Sequence, residues 1–207
     1  MNALLSLSRA IDGMSERIGR LVYWLVLAVV LISAANASVR KAFNYSSNAF
    51  LEIQWYLFSV IFLLGAGYVL LHNAHVRIDI IAGRLSARAQ NWIDVFGIIF
   101  FLFPMALVIM KLSWPLFMDS FTRNEVSTNA GGLIIWPARI MIPIGFALLI
   151  LQGISELIKR IAYLRGLIPD PLEKRHEKSA EEELAEEIAR ARGVEAPVLG
   201  GSAESKP

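Results

Sequence analysis

The sequence predicts an all-α integral membrane protein with four transmembrane helices. Its main feature is a set of four long apolar runs, at about 22–39, 50–71, 93–118 and 133–158. Each run is long enough to cross a hydrocarbon core of about 30 Å at a rise of about 1.5 Å per residue. The composition agrees, because 56% of the residues are hydrophobic and only 18% are charged. An amphipathic helix of a soluble domain would interrupt such runs with a polar face.

Basic residues flank the apolar runs unequally, and the richer side is expected to face the cytoplasm. The first and third loops carry only Arg40, Lys41 and Arg123. We therefore predict that both termini are cytoplasmic and that the membrane domain spans residues 22–165. The basic residues on the predicted cytoplasmic side are Arg9, Arg17, Arg20, Arg77, Arg84, Arg88, Lys159, Arg160, Arg165, Lys174, Arg175 and Lys178.

Residues 1–21 are predicted to form an amphipathic interfacial helix that precedes the first span. Such a helix can lie along the cytoplasmic headgroups or against a partner helix. The small residues Ala35-Asn36-Ala37 resemble a signal-peptide cleavage site, but the long run and the patterned segment before it favour an uncleaved span. The apolar stripe, at helical spacing, is Leu4, Leu7, Ile11, Met14, Ile18 and Leu21. The residues off the stripe include Ser8, Arg9, Asp12, Ser15, Glu16 and Arg17.

The segments between and after the later spans also carry patterns. Residues 77–92 in the second loop repeat the amphipathic spacing and predict a second interfacial helix, or equally an ordinary connector. Residues 119–132 are rich in Ser, Thr, Asn and Gly and predict an ordered turn region on the outer face. Prolines after Leu167 end the last helix, so 166–207 is predicted as a cytoplasmic tail, partly helical and then disordered.

Charged residues inside the spans are the candidate functional residues, because an unpaired charge in a bilayer costs several kcal/mol. Glu52 begins the second span, Lys111 lies late in the third, and Arg139 lies early in the fourth. With cytoplasmic termini, all three fall near the outer boundary and form a candidate intramembrane charge cluster. A Glu52–Arg139 or Glu52–Lys111 contact is one interpretation. The other is that Lys111 and Arg139 each reach the headgroups through their aliphatic stems.

The sequence offers little for chemistry of other kinds. The chain has no cysteine, so disulfides, thiolate metal sites and cysteine nucleophiles are excluded. Its histidines, His72, His75 and His176, do not have the placement of haem or metal ligands. No phosphate-binding loop or serine elbow is present, so neither an enzyme nor a cofactor is expected. The basic residues adjoin the spans, which is typical of lipid headgroup contact rather than of nucleic-acid binding.

Several motifs give the chain a family resemblance. The second span opens with Glu52 and Trp55, continues with Leu64-Gly65-Ala66, and is followed by His75-Val76-Arg77-Ile78-Asp79. The fourth span contains Ile142-Pro143-Ile144-Gly145-Phe146. In this order and with this number of spans, the chain resembles the small membrane subunit of tripartite ATP-independent periplasmic (TRAP) transporters, the DctQ-like family. The resemblance covers about residues 15–165.

The resemblance implies a function and partners. It implies a scaffold in the bacterial inner membrane that braces a large multi-span subunit, which carries the solute and sodium sites. A periplasmic solute-binding protein would deliver the substrate, typically an organic acid. His75, Arg77 and Asp79 become candidates for contact with that subunit or with lipid, although Arg77 and Asp79 can also pair locally. The alternatives are a membrane anchor or assembly subunit of another complex, and a small transporter that works alone.

Overall fold

The computed structural model describes residues 2–43, 48–73 and 85–169, and within these ranges the secondary structure is helical with no strand. Four helical stretches are long and apolar enough to cross a membrane, as the sequence predicts. The chain divides into two units at Leu167, and most of the second unit lies outside the described residues. The helices are α1 (Asn2–Phe43), α2 (Asn48–Leu71), α3 (Ala87–Gly97), α4 (Phe103–Thr122) and α5 (Trp136–Leu164).

Helix α1 joins two elements that the sequence analysis separates. It runs through all 42 residues from Asn2 to Phe43 without a break, so the segment 1–21 continues directly into the first span. At about 1.5 Å per residue it is about 63 Å long, roughly twice the thickness of a hydrocarbon core. The predicted apolar stripe is divided, because Leu4, Leu7 and Leu21 are about half exposed whereas Ile11 is buried. An interfacial position for this segment is not confirmed.

Helices α3 and α4 form one stretch, Ala87–Thr122, that contains a π-helical turn at Ile98–Leu102. The stretch begins where the Ser86 side chain accepts a hydrogen bond from the Ala89 amide, an N-cap contact. The π turn ends two residues before Pro104, and Phe100, four residues before that proline, lies within the turn. Proline has no amide hydrogen and its ring clashes with the carbonyl four residues earlier, so a widened turn here relieves that clash.

Helix α5 is the central element, because it packs against α1, α2, α3 and α4. It approaches α2 closely at Gly145, where an added Cβ would lie 2.7 Å from the Leu63 Cβ and 2.9 Å from the Leu63 carbonyl oxygen. Small residues allow this close packing, as is usual between membrane helices. Most of the buried residues of α5 in its second half are polar, namely Gln152, Ser155, Glu156 and Arg160.

The loop from α4 to α5 is ordered, in agreement with the expected turn region. Val126 and Ile134 form an antiparallel bridge, and the Ser127 amide donates to the Leu133 carbonyl at 2.9 Å. Gly131 sits at the tip with a φ of +71°, a conformation that glycine adopts without strain. The α4–α5 loop, residues 123–135, therefore has a small hairpin geometry.

Three predictions concern segments outside the described residues. The predicted helix 77–92 is described only from Leu85 onward, where α3 begins at Ala87. His75, Arg77 and Asp79 lie outside the described residues, as does almost all of the predicted tail 166–207.

Candidate functional site

Polar contacts concentrate at the two ends of the helical bundle. We call the end with the start of α2 and the α4–α5 loop the loop end. The opposite end, where the first half of α1 meets the last turns of α5, is the network end. The contacts at each end involve side chains from different helices, so they fix how the helices are joined.

At the loop end, Glu52 holds the α4–α5 loop. Its carboxylate is only 8% exposed and accepts hydrogen bonds from the Leu133 amide at 2.6 Å and the Asn129 side chain at 2.8 Å. The Ser127 hydroxyl donates to the same carboxylate oxygen as Asn129. All three donors belong to the loop. Glu52 therefore connects the first turns of α2 to the hairpin that precedes α5.

Arg139 also binds this loop, through a different carboxylate. Its two terminal nitrogens contact the two oxygens of Glu125 at 2.5 and 2.9 Å, the paired geometry that guanidinium and carboxylate groups favour. One nitrogen also donates to the Leu116 carbonyl of α4 at 3.4 Å. Arg139 and Glu52 thus meet at the same loop, but no ion pair joins them directly.

Lys111 stands apart from the other two predicted charges. Its side chain is exposed on α4, and it makes no hydrogen bond or ion pair with any residue in 2–43, 48–73 or 85–169. The large apolar residues one turn away on the same helix, Leu107, Val108 and Trp114, are also about half exposed. The structure therefore brings Glu52 and Arg139 to one loop and leaves Lys111 on the outer surface of the bundle.

At the network end, Asp12 of α1 receives donors from three residues of α5. Ser155 donates at 2.6 Å, Gln152 at 2.9 Å and Lys159 at 3.1 Å. The Ser15 hydroxyl of α1 donates to the side-chain oxygen of Gln152 at 2.7 Å. Both the oxygen and the nitrogen of the Gln152 side-chain amide are therefore hydrogen-bonded to α1. These bonds fasten the first half of α1 to α5.

The contacts continue from α5 to α3 as alternating charges. Lys159 contacts Glu156 at 2.5 Å, and Arg160 lies 3.6 Å from Glu156 and 3.2 Å from Asp94 of α3. Arg160 and Glu156 are each about 1% exposed. A buried charge is tolerated where it is paired and hydrogen-bonded. Together with Asp12, Ser15, Gln152 and Ser155, these residues form what we call the inner polar network.

This network was not predicted from the sequence. Lys159 and Arg160 were interpreted as charges that flank the last span, and Ser8, Asp12 and Ser15 as the polar side of an interfacial helix. In the structure, Ser8 and Ser15 are buried and face α5. The signal was present as two polar stripes at helical spacing, whose members could satisfy one another. The α5 stripe consists of Gln152, Ser155, Glu156, Lys159 and Arg160.

What this arrangement can do is join helices. No set of three or more His, Asp and Glu side chains in the described parts of the chain is placed to hold a metal ion. The polar groups at both ends are bonded to groups on neighbouring helices or loops. The fold and these contacts define a polytopic membrane protein in which the polar side chains serve helix association.

The comparison with protein families makes the assignment specific. The model described as "Tripartite ATP-independent periplasmic transporters, DctQ component" matches residues 29–162, and the chain belongs to this family. The DctQ component is the small membrane component of a TRAP transporter, a family of transporter parts rather than of enzymes. It works with a large membrane subunit and a binding protein. No curated protein and no solved structure matches the chain.

Proposed function

We propose that this chain is the scaffold subunit of a sodium-coupled, binding-protein-dependent transporter that imports an organic acid across the bacterial inner membrane. In this role it braces the large transport subunit and helps to dock the periplasmic binding protein. The observation that carries the proposal is the family match over residues 29–162, which includes the last third of α1, all of α2, α3 and α4, and most of α5.

The contacts inside the bundle support a scaffold rather than a solute path. Transporter sites commonly lie near the bilayer midplane in broken helices with unwound backbone. Here the contacts of Glu52 and Arg139 lie at the loop end and the inner polar network lies at the network end, while Lys111 is exposed on the outer surface. The bundle thus has the character of a rigid support for a partner that moves.

The orientation follows from the flanking basic residues, which favour cytoplasmic termini. The network end then faces the cytoplasm and the loop end faces the periplasm. A hairpin fastened by Glu52 and Arg139 would offer the binding protein a surface that is already ordered. Preorganised surfaces lose less conformational entropy on binding. The alternative function is a membrane anchor or assembly subunit of another complex.

The test is purification of the tagged chain from its native membrane in a mild detergent, with mass spectrometry of the proteins that accompany it. Recovery of one large multi-span protein in near-equal amount supports the scaffold role. Recovery of the chain alone, as a discrete homo-oligomer, contradicts it. Uptake of the solute by reconstituted vesicles, measured with and without a sodium gradient, then tests the coupling.

A further inference from the structure

We propose that Lys111 marks the face of α4 that docks onto the large membrane subunit, and that it binds a carboxylate on a helix of that subunit within the membrane. The inference rests on the proposed function, because it names how the scaffold meets its partner. It starts from an energetic problem. A lysine surrounded by apolar side chains on a membrane helix costs several kcal/mol unless it is paired or reaches the headgroups.

Lys111 lies closer to the loop end of the bundle than to the network end. It lies about 8 Å along the helix from Leu116, whose carbonyl accepts from Arg139 at the loop end. It lies about 25 Å from Asp94, the α3 member of the inner polar network. Lys111 is therefore within the apolar part of the stretch, and the loop end is its nearer polar layer.

The side chain of Lys111 leaves the helix in the direction away from the loop end. In an α-helix the Cα–Cβ bond tilts toward the helix N-terminus. For Lys111 this direction runs along the helix axis, away from Leu116 and the loop end and toward the mid-length of the bundle. The side chain must therefore bend back along the helix to reach the nearer headgroups. Arg139 shows the opposite case, because on α5 the same tilt points toward the loop end, where it binds Glu125.

The parts of the chain that the structure describes do not supply an acceptor for Lys111. Among the described residues Lys111 has no hydrogen-bond or ion-pair partner, whereas Glu52 and Arg139 each have several. Its exposed neighbours Leu107, Val108 and Trp114 form an apolar surface around it. Charge complementarity therefore favours a partner surface with apolar side chains around a carboxylate at this depth. A transmembrane helix of the large subunit, with about twenty mostly apolar residues, would provide the apolar surface, and one carboxylate on it would bind the lysine.

The test uses complexes of the full-length chain with its large subunit, purified in mild detergent. Lys111→Met keeps the length and apolar stem of the side chain and removes the charge. Because a hydrogen bond to a charged group contributes about 1.5–3 kcal/mol, we expect the apparent affinity to fall about tenfold or more. Lys111→Arg should retain most of the binding. Leu112→Met, an exposed apolar neighbour, is the matched control and should leave binding unchanged.

Two further measurements separate the outcomes. The isolated Lys111→Met chain should be no less thermally stable than the wild type, since the lysine has no partner in the described parts of the chain. A photo-crosslinking amino acid at position 111 should attach to the large subunit. Attachment only to lipid or to a second copy of the chain, or full binding by Lys111→Met, overturns this assignment. A wild-type chain that binds no large subunit overturns the proposed function itself.

Discussion

The Glu52 carboxylate accepts a 2.6 Å hydrogen bond from the backbone amide of Leu133, which links the start of α2 to the segment that enters α5. Both carboxylate oxygens are used, since the second accepts from Ser127 and Asn129. This geometry explains why a charged residue occupies the first turns of an apolar helix. An ionised carboxylate is acceptor-only, so it can satisfy all three donors at once.

Replacing Glu52 with Gln should loosen the α4–α5 loop. The amide has one acceptor oxygen, so either the Leu133 amide or the Ser127 and Asn129 donors would face an NH₂ group. Either loss weakens the attachment of the loop to α2, so we expect hydrogen exchange of the loop amides, among them Ser127 and Leu133, to accelerate about tenfold or more. Asp119→Asn is the control, because its i, i+4 pair with Arg123 is well exposed and such pairs contribute little. Equal protection in Glu52→Gln and wild type would contradict the assigned role.

The Arg139–Glu125 pair predicts partial rescue by charge exchange. Arg139→Glu and Glu125→Arg each place like charges together in the α4–α5 loop, and each should lower the melting temperature of the purified chain. The double variant restores opposite charges and should recover at least about half of the loss. The Leu116 carbonyl contact is not restored, so recovery should be incomplete. Additive losses in the double variant would show that the pair contributes nothing through its charges.

Asp12 should contribute to stability from the network end. Asp12→Ala leaves Gln152, Ser155 and Lys159 without their shared acceptor, and such a loss costs about 1–3 kcal/mol of unfolding free energy. Thermal unfolding in detergent measures the change. Glu16→Gln is the matched control, because its pair with His72 is 38–47% exposed and should contribute less than about 1 kcal/mol. A similar loss in both variants would argue against a specific role for the network.

The α2–α5 interface contains Gly67 of α2 and Gly145 of α5, and these two glycines should respond differently to replacement by alanine. At Gly145 a Cβ would lie 2.9 Å from the Leu63 carbonyl oxygen, and the backbone there has little room to move. Gly145→Ala should therefore destabilise the chain by about 1–3 kcal/mol. At Gly67 the nearest atoms are 3.7 Å away, an ordinary contact, and alanine favours helix. Gly67→Ala should be neutral or stabilise by up to about 1 kcal/mol, and a reversed order would contradict the packing.

The length of the apolar runs was enough to predict the fold class, because about twenty consecutive, mostly apolar residues are what a membrane-spanning helix needs. The burial of α1 was not predictable by the same means. The apolar stripe was expected to face the headgroup layer or a partner helix, with Ser8 and Ser15 on the polar side. Instead Ser8 and Ser15 are buried against α5 while Leu4 and Leu7 are exposed. In a membrane, leucine side chains can contact lipid or a partner subunit without an energetic cost. Hydrogen bonds and small residues therefore decide which face of a helix packs inside the bundle.

The charge cluster shows the same limit for the candidate site. The position of Glu52 and Arg139 near one end of their spans was readable from the sequence, because helix length fixes depth. Their partners were not, since these lie in the α4–α5 loop, whose conformation depends on the turn at Gly131 and the Val126–Ile134 bridge. The hypothesis of a direct Glu52–Arg139 pair therefore placed both charges at the correct end of the bundle. The structure shows that each binds the α4–α5 loop and that they do not bind each other.

The continuity of α1 leads to a distance measurement that distinguishes it from a bent interfacial arrangement. Because the chain has no cysteine, spin labels can be attached only at introduced positions, and Leu4 and Leu31 are both exposed. In one straight helix these positions lie about 40 Å apart. A right-angle bend near residue 21, with the first segment flat on the headgroups, would give about 30 Å. Pulsed electron–electron double resonance on the doubly labelled chain in nanodiscs should give the longer distance. The shorter one would mean that the contacts of Asp12 and Ser15 with α5 do not hold α1 straight in a membrane.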